Sequence, residues 1–394
     1  MTDFFNTGLT EQQFLEQYWQ KKPLLIRQAF PGFQSAISPD ELAGLACEPE
    51  IESRLIVENS EAGPWQLTNG PLSDGHFASL PESHWTLLVQ DIDKHVPETR
   101  TVLAPFKFIP SWRRDDLMVS FAPRHGSVGP HTDSYDVFLL QGLGSRQWQV
   151  TAKPLHKAPL IDNIDLQVLA EFEPAHEWLL EPGDMLYLPP HYGHHGVAME
   201  DCMTFSIGFR APKQVDALDA VINDLLEHNL ATQHYGDADL QAVEHESEID
   251  QQAVLRLKQL LHDTIDQAEP LLLSTLGKLV TDTKPSLANL ADEIFSEQPT
   301  AEMLVEQFDM GEVLHRNPYL CFAWAEQAPG GIVFMAGEGY TLAECLKESL
   351  IILAEQAVIE PTDLQLLIRD PQAVDLLCQL IAKGGWSWQQ LDYA

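Results

Sequence analysis

Two hydrophobic periodicities divide the chain. Up to about residue 212 the apolar positions fall in short runs such as DDLMVSF, DVFLLQG, RQWQV, DMLYLPP and MTFSIGF. These runs are rich in Val, Phe, Tyr and Trp and are bounded by Gly, Pro or Asp, the pattern of many short strands in a sandwich or barrel. Ahead of them, TEQQFLEQYWQKKPLLI predicts a helix leading into a strand, with Thr10 as N-cap and Gln13 at the capping-box position. From RAPKQVD onward the period changes. Val215, Leu218, Ile222, Leu225 and Leu226 recur at helical spacing, as do Val254, Leu257, Leu261 and Ile265. Residues 213–281 therefore read as antiparallel helices, a hairpin suited to packing against a copy of itself in a homodimer. The connection YGDADLQAVEHESEID is acidic, and residues 214–255 hold ten acids and no Lys or Arg. From Asp282 a third unit, 282–394, combines helical runs (LANLADEIFSE, LAECLKESLIILAEQ, PQAVDLLCQLIAKG) with a strand–turn–strand, GGIVFMAGEGYTL. That order predicts a winged-helix-like arrangement.

Composition narrows the class. A chain of 394 residues is too long for one typical domain, and its 44% hydrophobic content suffices for ample core. No apolar run approaches the roughly 18 residues of a membrane span. The start, MTDFFNTGLTEQQ, has neither the basic nor the apolar region of a signal peptide. Five scattered cysteines without a CxxC pair exclude a disulfide scaffold and a cysteine zinc site, so a cytoplasmic location is expected. The formal charge of −36 repels phosphate backbones and favours a cationic partner, or else serves solubility or salt tolerance. Residues 282–394 carry 5 basic and 18 acidic groups, a net of −13, so the winged-helix-like unit is expected not to bind DNA.

The candidate chemistry lies in the strand-rich part. Side chains alternate along a strand. His131, Asp133 and Tyr135 of HTDSY would share a face, as would Asp116, Met118 and Ser120, and Arg146, Trp148 and Val150. Polar groups of this kind inside a barrel are costly unless they are paired or bind something. His131 and Asp133 could grip one metal ion from the same side. A third ligand would come from EPGDMLYLPPHYGHHGVAM, which offers His191, His194 and His195. Two imidazoles and one carboxylate on one face of an octahedral ion leave room for a cosubstrate and dioxygen, the arrangement of non-haem iron(II) oxygenases. HxD alone is weak in a chain with 15 histidines. The order HxD, inward Arg, then PPxxxHH after a PGD turn strengthens it, and spacing alone leaves His194 and His195 both open.

VGPHTDSYDVFLLQGLGSRQWQV, together with LEPGDMLYLPPHYGHHGVAMEDCMTFSIGFRAP, resembles the JmjC-type 2-oxoglutarate oxygenases. It is most similar to the bacterial ribosomal oxygenases that hydroxylate an arginine of a large-subunit ribosomal protein, and EQQFLEQYWQKKPLLI and DDLMVSF extend the likeness. The resemblance implies an α+β chain. A double-stranded β-helix, or cupin jelly-roll JmjC barrel, would occupy 1–212, followed by a helical dimerisation segment at 213–281 and a winged-helix-like domain at 282–394. It implies Fe(II) held by His131, Asp133 and His194, and 2-oxoglutarate anchored by Arg146 with help from Ser120, Thr204 being a further cosubstrate contact. It places Asp116, Met118 and Tyr135 in the substrate pocket, where a carboxylate would pair with a guanidinium while Met and Tyr flank its stem. Packing is the competing role for Met118 and Tyr135, and Trp148 reads as core.

The activity so implied is that of a dioxygenase, a ribosomal-protein arginine 3-hydroxylase acting on the sixteenth large-subunit protein and consuming 2-oxoglutarate and O2. An acidic enzyme suits a basic ribosomal substrate. Histidine hydroxylation or N-methyl demethylation could use the same iron site. A cupin isomerase would leave Arg146 unexplained. A non-catalytic acidic binding module is the alternative outside enzymes.

Overall fold

The computed structural model describes residues 4–60, 63–292 and 298–388. The chain divides into two compact units. Among the described residues, one is built from the chain up to Ala211 with Pro285–Leu290, the other from Pro212–Lys284 and the residues after Leu290.

The strands of the first unit are β1 (Leu24–Ile26), β2 (Ser53–Ser60), β3 (Gly63–Asn69), β4 (Trp85–Val89), β5 (Arg114–Ala122), β6 (Asp136–Leu143), β7 (Arg146–Pro154), β8 (His176–Leu180), β9 (Met185–Leu188), β10 (Tyr192–Ala198) and β11 (Cys202–Phe209). They form an eight-stranded sheet, ordered β1-β9-β6-β11-β5-β4-β2-β3, and a three-stranded sheet, β10-β7-β8. The pairings are antiparallel, so alternation separates two buried faces. One face of the large sheet carries Leu117, Val119, Phe138, Leu140, Phe205 and Ile207, packed with Phe14, Ile92 and Phe106 from the helical elements around it. The other carries Val137, Leu139, Leu186 and Leu188, packed with Trp148, Val150, Leu180 and Tyr192 across the barrel. Burial on both sides explains why β6 and β11 read as continuous apolar runs instead of alternating ones.

The predicted N-terminal helix spans Glu11–Gln17 and starts with the expected capping box, Thr10 with Gln13. It delivers Phe14, fully buried, onto the outer face, where its ring meets Phe138 and Tyr187. The chain after it reaches a buried carboxylate at the start of β6. Asp136 accepts from the Tyr187 hydroxyl at 2.6 Å and from Gln20 Nε2 at 2.9 Å, with Arg113 Nη2 at 3.5 Å. Burial raises the Asp136 pKa, while these donors oppose the rise.

In the second unit helices span Gln214–Glu227, Gln251–Ala268 and Leu272–Thr281. The third of these lies on a meander of β12 (Phe322–Gln327), β13 (Gly330–Met335) and β14 (Glu338–Leu342). Gly277 makes that approach possible, because a Cβ there would come within 2.4 Å of the Phe334 ring. Helices Ala301–Asp309, Lys347–Glu355, Pro361–Leu367 and Pro371–Ala382 enclose a separate core around Leu353, Leu377 and Trp386. The run LAECLKESLIILAEQ is helical only over Lys347–Glu355, because Leu342 still belongs to β14. Of LANLADEIFSE, Ala288–Asp292 is helical, and residues 293–297 lie outside the described residues. Among the described residues no helix is long and apolar enough to cross a membrane.

Tyr187→Phe keeps the ring packing but removes one donor from buried Asp136. Urea denaturation should show a loss of about 1–3 kcal/mol, the usual cost of leaving a buried acceptor short of a partner.

Candidate metal centre

HTDSY is not a strand. β6 begins only at Asp136, and His131 makes a lone antiparallel bridge with His194 of β10. The His131 N–H donates to the His194 carbonyl at 3.0 Å, and the His194 N–H donates to the His131 carbonyl at 2.9 Å. Gly129, at φ +81°, turns the chain into this bridge, and the Leu169 N–H holds the Pro130 carbonyl at 2.7 Å. The shared face expected from strand alternation therefore arises in another way, through a two-way backbone clasp that sets the imidazoles side by side, centroids 4.2 Å apart.

Ligating atoms of His131, Asp133 and His194 all lie within 4.8 Å of one another. Each imidazole is oriented through its other nitrogen. His131 Nδ1 lies 2.9 Å from the Gly129 carbonyl, and His194 Nδ1 lies 3.0 Å from the Tyr192 carbonyl. As donors there, the Nδ1–H groups leave both Nε2 lone pairs available to a metal, the usual support of a metal-binding histidine. His194 Nε2 lies 3.5 Å from Asp133 Oδ2. Burial, with the adjacent His131, lowers the His194 pKa to about 4, so the ring is neutral at pH 7, as a ligand must be.

The neighbouring histidines take other positions. His195 lies opposite Gln149 in the register and so points to the other side of β10, where its ring meets Phe172 edge-on. Burial, His131 and Arg146 together lower its pKa to about 4. His191 occupies the turn before β10 at φ +66°, with its ring 4.8 Å from that of His156. Its backbone N–H donates to the Asp133 carbonyl at 2.7 Å. It thus steadies the loop that carries the carboxylate, a backbone role that side-chain chemistry in the sequence does not signal.

Arg146 opens β7 on the barrel's inner face and is 3% exposed. Its Nε and Nη2 find no hydrogen-bond acceptor among the described residues, and its guanidinium lies 5.8 Å from the Trp148 ring centroid. A buried cation with unmet donors is unfavourable alone and is satisfied by a bidentate carboxylate. The donor set thus fits a small dicarboxylate near a metal ion. Trp148 Nε1 is a further buried donor lacking an acceptor among the described residues.

Ser120 and Thr204 are register partners on β5 and β11, both buried. Ser120 Oγ donates to the Thr204 carbonyl at 3.5 Å, and Thr204 Oγ1 donates to Gln141 Oε1 at 3.2 Å. Gln141, which sequence reasoning passed over, is fully buried and anchored through Nε2 to the Leu143 carbonyl at 2.8 Å. A glutamine within an apolar strand was the available signal.

Asp116 and Met118 are half-buried on β5, on the same face as Ser120, while Tyr135 lies on the loop before β6 and is 37% exposed. A Cβ at Gly208 would lie 3.3 Å from Asp116 Oδ1 and 3.8 Å from Tyr135 Cε2. Glycine there keeps the space between acid and ring open. The charge of Asp133, then burial, then the charges of Asp116 and Asp115, raise the Tyr135 pKa, opposed by Arg54.

Comparison with known proteins agrees with this geometry. A JmjC domain matches residues 101–217, and a ROXA-like winged helix matches 259–387. The Escherichia coli protein named ribosomal protein uL16 3-hydroxylase is 33% identical over 385 residues, 98% of this chain and 99% of that one. A crystal structure of E. coli ycfD superposes with a TM-score of 0.80 at 32% identity, covering 96% of this chain and 98% of that one. The same ribosomal oxygenase, solved with cobalt and 2-oxoglutarate, gives 0.77 at 31% identity with the same coverage. With the His–Asp–His cluster and a buried arginine in a jelly-roll barrel, and kinship running nearly end to end, the chain belongs to the JmjC ribosomal oxygenases.

Proposed function

We propose that this chain is an Fe(II)- and 2-oxoglutarate-dependent hydroxylase that modifies an arginine side chain of ribosomal protein uL16. The observation that carries this reading is the pairing of a three-ligand cluster, His131, Asp133 and His194, with buried Arg146, whose Nε and Nη2 lack acceptors. The name of the E. coli relative, and the cobalt and 2-oxoglutarate in the crystal structure of its kind, support the substrate and cosubstrate.

When bound, iron(II) and 2-oxoglutarate supply the oxidising chemistry, in which O2 is consumed and 2-oxoglutarate leaves as succinate and CO2 while a C–H bond becomes C–OH. The chain's own residues select and orient. His131, Asp133 and His194 would hold the metal, whose chemistry needs room for a cosubstrate and O2 beside these three donors. Arg146 fixes the far carboxylate of the cosubstrate, and Ser120 and Thr204 line the same inner row. Asp116 takes the substrate guanidinium, with Met118 and Tyr135 along its methylenes, so the target carbon is held still near the metal. The −36 surface attracts a basic ribosomal protein, which supports action in the cytoplasm.

The second unit serves assembly in this reading. On the helix Gln214–Glu227, Val215, Leu218, Ile222 and Leu226 are each more than half exposed. The helix Gln251–Ala268 exposes Val254, Leu257, Leu261 and Ile265 as well. An apolar stripe of this length is covered by a second copy in a homodimer. The acidity of residues 282–394 favours a protein-facing role for the winged helix over DNA binding.

The chain, incubated with iron(II), 2-oxoglutarate and uL16, should form succinate and add one oxygen atom to one arginine, read by mass spectrometry of the digest. No added oxygen would overturn the reading. Arg146→Ala should raise the 2-oxoglutarate requirement about 10- to 100-fold, the effect of losing a charged hydrogen bond. Cobalt binding, followed by visible absorption, should fall in His194→Ala by more than the roughly 10–100-fold typical of a supporting residue, and stay near wild type in His195→Ala. Leu218→Glu with Ile222→Glu should convert a dimer to a monomer in light scattering.

A further inference from the structure

A cation near the substrate entrance looks out of place in a pocket built for a cation. Arg54, on β2, is half-buried, and its Nε has no acceptor among the described residues. Its charge acts on Tyr135 together with those of Asp116 and Asp133. An arginine so close to the recognition carboxylate would be expected to close on Asp116 and occupy the place of the substrate guanidinium.

Gln90 stands between them. It follows β4, with its backbone N–H donating to the Glu52 carbonyl at 2.9 Å. Of the two orientations of its amide, one satisfies both neighbours: Nε2 donates to Asp116 Oδ2 at 2.7 Å, and Oε1 accepts from Arg54 Nη2 at 2.6 Å. A neutral amide thus engages an Arg54 donor and an Asp116 acceptor that could otherwise meet as an ion pair. The Asp116 carboxylate is thus held by a neutral amide donor on one oxygen, and the Arg54 donor that faces it is occupied by the amide oxygen. Leu or Met at this position would fill the volume without bridging the charges.

We infer that Gln90 is a positioning and specificity residue. It holds Asp116 for the substrate guanidinium and keeps Arg54 from neutralising it. This rests on the proposed arginine hydroxylase reading. It goes beyond that reading by assigning a role to two residues, Gln90 and Arg54, that touch neither metal nor cosubstrate.

The test compares wild type, Gln90→Leu, Gln90→Met, Arg54→Met and the double variant Arg54→Met/Gln90→Leu in the full chain. Kinetics are measured on a uL16 peptide, and equilibrium binding on the same peptide with its arginine intact or replaced by glutamine. Gln90→Leu and Gln90→Met should raise the peptide KM by about tenfold or more, the scale of one charged hydrogen bond. They should leave kcat and the 2-oxoglutarate KM within about twofold, and should lose the binding preference for arginine over glutamine. Arg54→Met should bind the peptide as well as wild type or better, and the double variant should recover most of the loss. An unchanged peptide KM in Gln90→Met, a loss that Arg54→Met does not relieve, or a tenfold weakening in Arg54→Met alone would each overturn the inference. If the Gln90 variants fail to fold, as thermal unfolding would show, Arg54→Met alone decides. Wild type that binds the arginine peptide without oxidising it sinks the hydroxylase reading and leaves the Gln90 comparison intact in the binding assay.

Discussion

The two backbone hydrogen bonds joining His131 to His194 are the constraint on which the site depends. They connect a loop before β6 to β10, sixty-three positions later, and do so at the two residues whose imidazoles must converge. A side-chain metal site needs its donors placed to within a fraction of an ångström, and long side chains on separate loops do not provide that. A reciprocal main-chain bridge does, because it fixes both Cα positions at once. The Nδ1 contacts to the Gly129 and Tyr192 carbonyls then fix the ring rotations, again through main chain. The clasp is made of main-chain hydrogen bonds alone, so the two imidazoles are placed by the backbone.

The clasp sits in a barrel whose large sheet has a core of its own on the outer side. β5, β6, β9 and β11 bury apolar side chains on their outer face against Phe14, Phe106 and their neighbours. That outer core frees the inner face from having to be wholly apolar. Ser120, Gln141 and Thr204 stand in one row across β5, β11 and β6, opposite one another in register, and satisfy each other in part. In a sheet stabilised only from within, such a polar row would be a serious cost. Here the row is carried by packing elsewhere, and the barrel interior can be given to chemistry.

This division explains what could be read in advance. The strands around the site were legible because two-sided burial writes them as apolar runs bounded by turn residues, as in DVFLLQG and MTFSIGF. Thr10 and Gln13 announced the first helix because a capping box is a local pattern. A metal pair at His131 and Asp133 with a distal histidine was legible in residue type and order, His194 was singled out from His195 only by the family resemblance, and the reason given for the shared face, a strand over HTDSY, was not what the chain does. Alternation describes regular strands, and a single bridge next to a turn leaves no periodic trace. His191, Gln90 and Arg54 were illegible for a related reason. His191 acts through its N–H, which every non-proline residue has, and Gln90 matters only because β2, β4 and β5 lie side by side.

The charges of the site are ordered by what stands between them. Among the described residues Arg146 has unmatched donors deep in the barrel, which suits it to a carboxylate. Asp133 and Asp116, nearer the entrance, give a region where a cation is favoured. In the proposed reading the two ends attract opposite ligands, which would keep a dicarboxylate and a guanidinium from exchanging places. The arrangement would fail if the protein's own opposite charges found each other first. Arg146 is kept from the acids by its position on the three-stranded sheet, under the Trp148 ring. Arg54 has no such distance from Asp116, and there an uncharged side chain bonded to both does what separation does elsewhere. Selectivity in this barrel then depends on preventing internal neutralisation as much as on supplying charge, and a change that merely adds an acid at the entrance would not reproduce it.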